Sequence, residues 1–263
     1  LCLVTIFHGV RGDDPVADPK AVVVFGNSRF TVLTERLLRL EWSTSAHFED
    51  SATMVVLNRK LPLPDFTSSI NPNTGDLLIQ TRFLSLTCSA TSKSTPFSHD
   101  SLSVTIFIND TATVTWRPGD HNNGNLLGTL RTLDQRLGPV QLDCEKNPFS
   151  SDLYCSYGLI STDGWALVND TRSRVLDDDA MWLRDDRNNS DVIDWYLFGH
   201  GIDFKSAVKE FTLIAGNVPI LPRYMFGAFC SRWWHFNQRG EEKIVDEYKT
   251  HSTPLDVLIS DMV

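Results

Sequence analysis

The sequence has no apolar run long enough to cross a membrane and no excess of positive charge. A membrane-spanning helix needs about 20 consecutive apolar residues, so we expect no membrane span. The formal net charge of −9 at pH 7 disfavours a nucleic-acid backbone or an anionic membrane surface as partner. The charge is compatible with a neutral ligand, but it does not identify one.

Cysteine is scarce, with 5 among 263 residues, and no Cys/His spacing resembles a zinc site. The acidic run at residues 177–179 lacks the spaced loop of a calcium motif, so we interpret it as a solvated loop. We therefore predict neither a metal site nor a cofactor. Cys144 and Cys155 lie in one predicted loop and could form a disulfide in an oxidising compartment, whereas Cys230 is expected to be a free buried thiol.

Most of the chain consists of short runs rich in β-forming residues, separated by turn signals. These runs lie at residues 21–25, 30–33, 37–42, 77–86, 102–108 and 111–116. Short strands at regular spacing with such turns predict an antiparallel β-sandwich. One helix is predicted after them, over about residues 204–214, with one shared apolar face. The residues of that face are Ala207, Val208, Phe211 and Ile214.

The last part of the sequence predicts a different architecture. Residues 221–235 indicate an apolar strand that runs into an aromatic, cationic turn, and residues 254–263 contain a second short apolar strand. A helix is predicted between them, over about residues 239–250. Its apolar side chains are spaced for one buried face: Ile244, Val245 and Tyr248. Strand, helix and strand in this order predict a parallel βαβ unit.

Two features concern the secretory pathway. The apolar run at residues 1–7, within a tail of residues 1–18, is either the remnant of a signal peptide or an N-terminal edge strand. Three triplets match the N-glycosylation acceptor, at Asn109, Asn169 and Asn188. Together these features favour a glycoprotein of the secretory pathway, either extracellular or in a compartment such as the endoplasmic reticulum, lysosome or vacuole.

Several segments of the sequence resemble, in their order and spacing, those of a known protein family. These segments are residues 26–42, 48–50, 56–59, 125–134, 158–168, 196–199, 219–223, 231–233 and 254–261. In this order they resemble glycoside hydrolase family 31, the α-glucosidase and α-xylosidase group, from about Pro19 onward. The resemblance implies a mainly β chain, with a galactose-mutarotase-like antiparallel β-sandwich over residues 19–215. The truncated start of a TIM-type β/α barrel, its first strand, helix and second strand, would follow over residues 216–263.

The resemblance also implies a retaining, exo-acting α-glycosidase, most simply an α-glucosidase, which hydrolyses O-glycosyl bonds of α-linked oligosaccharides or glycosides. Retaining glycosidases use two carboxyl groups about 5–5.5 Å apart, and in this family both follow the strand that Asp261 matches. We therefore expect the nucleophile and the acid/base beyond the chain end, with the remainder of the catalytic barrel, and an inactive chain on its own. The alternative is a non-catalytic β-sandwich module that binds carbohydrate or docks a partner.

The substrate-binding candidates come from the same resemblance. Asp261 matches an aspartate that accepts hydrogen bonds from sugar hydroxyls at the carboxyl end of a barrel strand, although Asp at this place could also cap a helix. Trp233 matches a tryptophan that walls the sugar subsite, where an indole face suits the apolar face of a pyranose. Arg232 lies next to Trp233. Asp134 is either a turn residue or a loop donor to the pocket.

Overall fold

The computed structural model describes residues 14–109, 112–127, 157–177, 182–184, 191–218 and 220–260. The chain divides into two compact units, Leu1–Asn217 and Val218–Val263. The predicted signal remnant or edge strand at residues 1–7 and the predicted Cys144–Cys155 pair lie outside the described residues.

The described part of the first unit is built mainly from short strands. In chain order they are β1 (Val22–Phe25), β2 (Ser28–Val32), β3 (Leu37–Ser43), β4 (Thr67–Ile70), β5 (Leu77–Gln80), β6 (Leu84–Cys88), β7 (Leu102–Phe107), β8 (Thr113–Trp116), β9 (Ala166–Asn169), β10 (Val175–Leu176), β11 (Leu183–Arg184) and β12 (Val192–Phe198). One five-stranded sheet has the order β1-β2-β3-β12-β9, and a second has the order β4-β5-β6-β7-β8. All neighbours in both sheets are antiparallel, which confirms the predicted mainly β, antiparallel class.

The two sheets face each other across one hydrophobic core. Leu38, Leu40 and Trp42 of β3 point into it from the first sheet, and Leu86 and Val104 point into it from the second. The alternation of buried and partly buried residues along β7 follows from this arrangement, because successive strand residues point to opposite faces. The predicted β-sandwich is thus present in the first unit.

The first sheet is covered on its outer face as well, which explains why every residue of β3 is buried. Leu37 of β3 and Phe198 of β12 belong to a second apolar cluster there, which includes Ile214 from a helix. That helix, α1 (Phe204–Ala215), begins at Asp203, whose side chain accepts a hydrogen bond from the Ser206 amide at 3.2 Å. Burial on both faces removes the polar–apolar alternation that a one-sided strand would show.

The structure corrects two sequence expectations in this unit. Residues 77–86, predicted as one run, form β5 and β6, because the Thr81 hydroxyl accepts hydrogen bonds from the amides of Phe83 and Leu84 and closes a turn. On α1, Val208 is 44% exposed instead of buried. The buried stripe uses Ala207 and Ile214 with the partly buried Phe211, and Val208 lies about 100° around the helix from Ala207.

A network of charged side chains lies on the outer face of the first sheet and joins its strands. Two guanidinium nitrogens of Arg39 donate to the two carboxylate oxygens of Asp194, each at 2.8 Å, and thereby join β3 to β12. Arg39 also lies 3.1 Å from the Glu41 carboxylate, which accepts two further hydrogen bonds from Arg29. Burial alone would lower the pKa of Arg39, but the Asp194 and Glu41 carboxylates raise it well above its usual value. Arg39 is therefore charged although it is buried.

The second unit contains a parallel strand pair and one helix among its described residues. They are β13 (Phe229–Arg232), α2 (Gln238–Thr250) and β14 (Val257–Ser260). The predicted strand–helix–strand order is therefore present, although the first strand begins later than expected because residues 223–226 form a 3-10 turn after Pro222. The helix begins at Asn237, whose side chain accepts a hydrogen bond from the Gly240 amide at 2.9 Å. Its least exposed apolar side chains are those expected: Ile244, Val245 and Tyr248.

Asp256 joins the amino ends of β13 and β14. Its carboxylate accepts a hydrogen bond from the Ala228 amide at 2.9 Å, and its own amide donates to the Ala228 carbonyl at 2.9 Å. The carboxylate fills the space beside Gly227, where any Cβ would clash with it. Glycine at position 227 is therefore needed for this close approach.

We expect Arg39→Ala to lower the free energy of unfolding of the first unit by about 3–5 kcal/mol, because it leaves buried carboxylates without their guanidinium partner. Urea unfolding, followed by circular dichroism, measures this change. Lys60→Ala is the control: Lys60 forms a 2.9 Å ion pair with Asp14 at the surface, and exposed pairs contribute little. Similar unfolding midpoints for the two variants would contradict the structural role of Arg39.

We expect Gly227→Ala to weaken the pairing of β13 with β14, because the added methyl group displaces the Asp256 carboxylate. Forcing an extra carbon into a packed site costs about 1–3 kcal/mol, which amide hydrogen exchange of residues 229–232 would detect as faster exchange. The matched control is Gly240→Ala, where the nearest atom to a new Cβ is the ring edge of Phe236 at 3.2 Å. Unchanged protection in Gly227→Ala would argue against the role of the Asp256 contact.

Candidate functional site

The carboxyl ends of β13 and β14 form the candidate site. Because the two strands are parallel, their carboxyl ends lie at one edge, and Arg232 is the register partner of Ser260. Parallel α/β folds place ligands at this edge, where the loops after each strand converge. We refer to the edge formed by Arg232, Trp233, Ser260 and Glu241 as the carboxyl edge.

Trp233 and Arg232, both predicted from the sequence, lie on this edge. Trp233 directly follows β13 and is 77% exposed, so its indole can contact a ligand. The Arg232 guanidinium lies 4.9 Å from the ring centroid of Trp234, within the range of a cation–π contact. Arg232 therefore packs on Trp234, while Trp233 remains open to solvent.

Glu241 is a member of the carboxyl edge that the sequence analysis did not identify. It lies in the first turn of α2, where the helix dipole favours an acidic side chain. The Ser260 hydroxyl, at the end of β14, donates a hydrogen bond to Glu241 Oε1 at 2.6 Å. The sequence signal was an acidic residue four positions after the helix-capping Asn237. That pattern places a carboxylate at the carboxyl edge, because the amino end of the helix in a βαβ unit faces this edge.

Two cysteines lie among the described residues, one in each unit. Interaction with the Cys230 side chain of β13 raises the pKa of Tyr248 on α2. Cys230 is free, as expected, but it is half-buried instead of fully buried. Cys88, in the sandwich core, is free and buried, and burial raises the pKa of its thiol to about 11. The environment of Cys88 therefore disfavours the thiolate form that a nucleophilic cysteine requires.

Several predicted site residues lie outside the described residues: Asp261, Asp134 and the glycosylation candidate Asn188. The other two glycosylation candidates, Asn109 and Asn169, are both exposed. Asn169 ends β9, and its side chain accepts a hydrogen bond from the Thr171 amide at 3.1 Å. The substrate and glycosylation assignments therefore stay predictions.

Within the described ranges, no three His, Cys, Asp or Glu side chains converge as metal ligands would. No helix in the same ranges has the length and apolar character needed to cross a membrane.

No protein-family model and no curated protein matches this sequence. Solved structures do match it. A glycoside hydrolase family 31 dextranase of Flavobacterium johnsoniae, complexed with glucose, has a TM-score of 0.52 and 14% sequence identity, over 90% of this chain and 31% of the dextranase. A mutant of that dextranase complexed with isomaltotriose gives the same values.

A family 31 α-xylosidase from a soil metagenome, complexed with xylose, has a TM-score of 0.54 and 15% identity, over 92% of this chain and 40% of the xylosidase. The chain thus spans about a third of the length of these enzymes. At such identities the likeness concerns the fold alone. The chain is therefore similar in fold to part of the enzymes of glycoside hydrolase family 31.

Proposed function

We propose that the chain is the N-terminal part of a retaining, exo-acting α-glycosidase, most simply an α-glucosidase. The observation that carries this proposal is the carboxyl edge, where Arg232, Trp233 and Ser260 come together at the ends of two parallel strands. The fold likeness to family 31 glycosidases supports it. The sequence also supports it, because Asp261 directly follows Ser260.

Each residue of the proposed sugar subsite has a distinct role. The exposed indole of Trp233 would contact the apolar face of a pyranose ring. The Asp261 carboxylate would accept hydrogen bonds from sugar hydroxyls, and Arg232 would supply donors. Glu241 would hold the end of β14 through Ser260, and with it the residue that follows. Together these groups supply acceptors, donors and an apolar wall, which a neutral sugar requires.

The proposed reaction needs groups that we assign to no residue of this chain. Retaining hydrolysis requires a nucleophilic carboxylate and an acid/base about 5–5.5 Å apart. We propose that both belong to further strands of a β/α barrel that begins with β13. Exposed apolar side chains on the two strands of the second unit support this, Phe229 of β13 at 49% and Ile259 of β14 at 42%, because parallel sheets are ordinarily covered on both faces. On this proposal the chain alone turns over no glycoside.

We expect the complete gene product to hydrolyse aryl α-glucosides, and residues 1–263 alone to show no turnover. In the complete protein, Asp261→Asn and Trp233→Ala should each lower kcat/KM by about 10- to 100-fold, the effect of losing a charged hydrogen bond or an aromatic contact in the site. Glu242→Gln is the matched control, since Glu242 follows Glu241 on α2 but accepts from Gln238 at the surface. A complete protein that cleaves none of a panel of aryl α-glycosides would refute the proposal.

We also propose that the protein enters the secretory pathway and carries N-linked glycans at Asn109, Asn169 and Asn188. The exposure of Asn109 and Asn169 supports this, because an acceptor asparagine occupies the surface. Protein expressed in a secretory eukaryotic host should lose mass when treated with a peptide:N-glycanase. Thr171→Ala removes the acceptor triplet of Asn169 and should reduce that loss by one glycan. Unchanged mass after treatment would contradict the proposal.

A further inference from the structure

A cleft of about 200 Å3 opens on the sandwich, and residues of the first unit alone form it. Trp116, at the end of β8, and Trp165, just before β9, form its floor with Leu167. The two indole rings have centroids 6.2 Å apart and planes inclined by 54°. Both tryptophans are buried, so the floor is apolar and fixed by the core beneath it.

Asn122 places fixed polar groups in the cleft wall. It is 8% exposed, and its amide nitrogen donates to the Trp165 carbonyl at 2.7 Å. Its amide oxygen accepts a hydrogen bond from the Ser161 hydroxyl. An asparagine side chain has two N–H donors and two acceptor lone pairs. One donor and one acceptor of a rigidly held amide therefore remain for a ligand.

The rim of the cleft carries amphipathic side chains that the fold itself does not use. Tyr157 is 67% exposed and His121 is exposed, and neither has a hydrogen-bond partner among the described residues. A tyrosine offers a ring face for apolar contact and a hydroxyl for hydrogen bonding. These side chains can therefore close over a bound ligand without breaking a contact of the sandwich.

Charge and size restrict the ligand. The cleft lining contains one carboxylate, Asp120, and no lysine or arginine, so it does not suit an anion. Pockets for drug-sized ligands measure about 300–1,000 Å3, which makes this cleft suitable for a single small ring. An apolar floor opposite neutral donors and acceptors matches a molecule with one apolar face and a ring of hydroxyl groups.

We propose that this cleft is a second carbohydrate site, which binds one neutral pyranose independently of the carboxyl edge. The floor of Trp165 and Leu167 contacts the apolar side of the ring. Asn122 hydrogen-bonds hydroxyl groups, and Tyr157 and His121 cover the open side. The site goes beyond the proposed hydrolase function, because it uses different residues and involves no bond cleavage.

The test is a titration of the chain with methyl α-glucoside, followed through the indole N–H signals of its 7 tryptophans in a two-dimensional NMR spectrum. We expect saturable shifts of the Trp165 signal. Tyr157→Ala and His121→Ala should each weaken binding by about 5- to 30-fold, the effect of a lost hydrogen bond together with lost contact area. Both side chains are exposed, so the variants retain the fold.

Two control variants separate this site from the carboxyl edge. Tyr224→Ala removes an exposed tyrosine of the second unit, 53% exposed, and should leave the titration unchanged. Trp233→Ala should abolish any sugar contact at the carboxyl edge while the Trp165 shifts persist. Shifts that disappear in Trp233→Ala and persist in Tyr157→Ala would overturn the proposal, as would the absence of saturable shifts at Trp165. Lack of α-glycosidase activity in the complete protein would refute only the hydrolase proposal.

Discussion

The bidentate contact between Arg39 and Asp194 is the constraint on which the first unit depends. It joins the middle of β3 to the middle of β12, two strands whose contacting residues are 155 positions apart in the sequence. These strands pair over seven residues, on both sides of the contact. Burial raises the pKa of Glu41, and the Arg39 charge opposes that rise. A buried ion pair adds little net stability compared with apolar packing, but it penalises every arrangement that leaves one charge alone. We infer that its role is to fix which strands become neighbours.

The cleft proposed as a carbohydrate site follows from that pairing. With β12 placed beside β3, β9 pairs on its other side, which positions Trp165 and Leu167 at the floor of the cleft. On the outer face, Arg59 donates a hydrogen bond to the Tyr196 hydroxyl at 2.7 Å and holds the preceding loop through the carbonyls of Asp50 and Ser51. Both faces of the first sheet are thereby covered, and the cleft remains as a recess of the first unit.

Sequence patterns predicted the class of fold and both helices because local signals specify them: turn residues between β-rich runs, and apolar residues at helical spacing. They did not predict that residues 77–86 turn back at Thr81, since a hydroxyl-closed turn needs no glycine or proline. Trp233 and Arg232 could be named through family resemblance alone. Glu241 and the cleft were missed, because a Ser260–Glu241 hydrogen bond and an arrangement of distant tryptophans depend on tertiary structure.

The two sheets of the sandwich differ in a way that bears on how the chain folds during synthesis. Strands β4 to β8 each pair with the next strand in sequence, so this sheet can assemble once Trp116 has left the ribosome. Strands β1 to β3 also pair with their neighbours in sequence, but their sheet is complete only with β12, which is made roughly 150 residues after β3. Loop closure over such distances is slow. Until β12 has been synthesised, Arg39 has no Asp194 carboxylate with which to form its ion pair. Folding is therefore expected to begin in the second sheet and to finish when the emerging β12 strand completes the first.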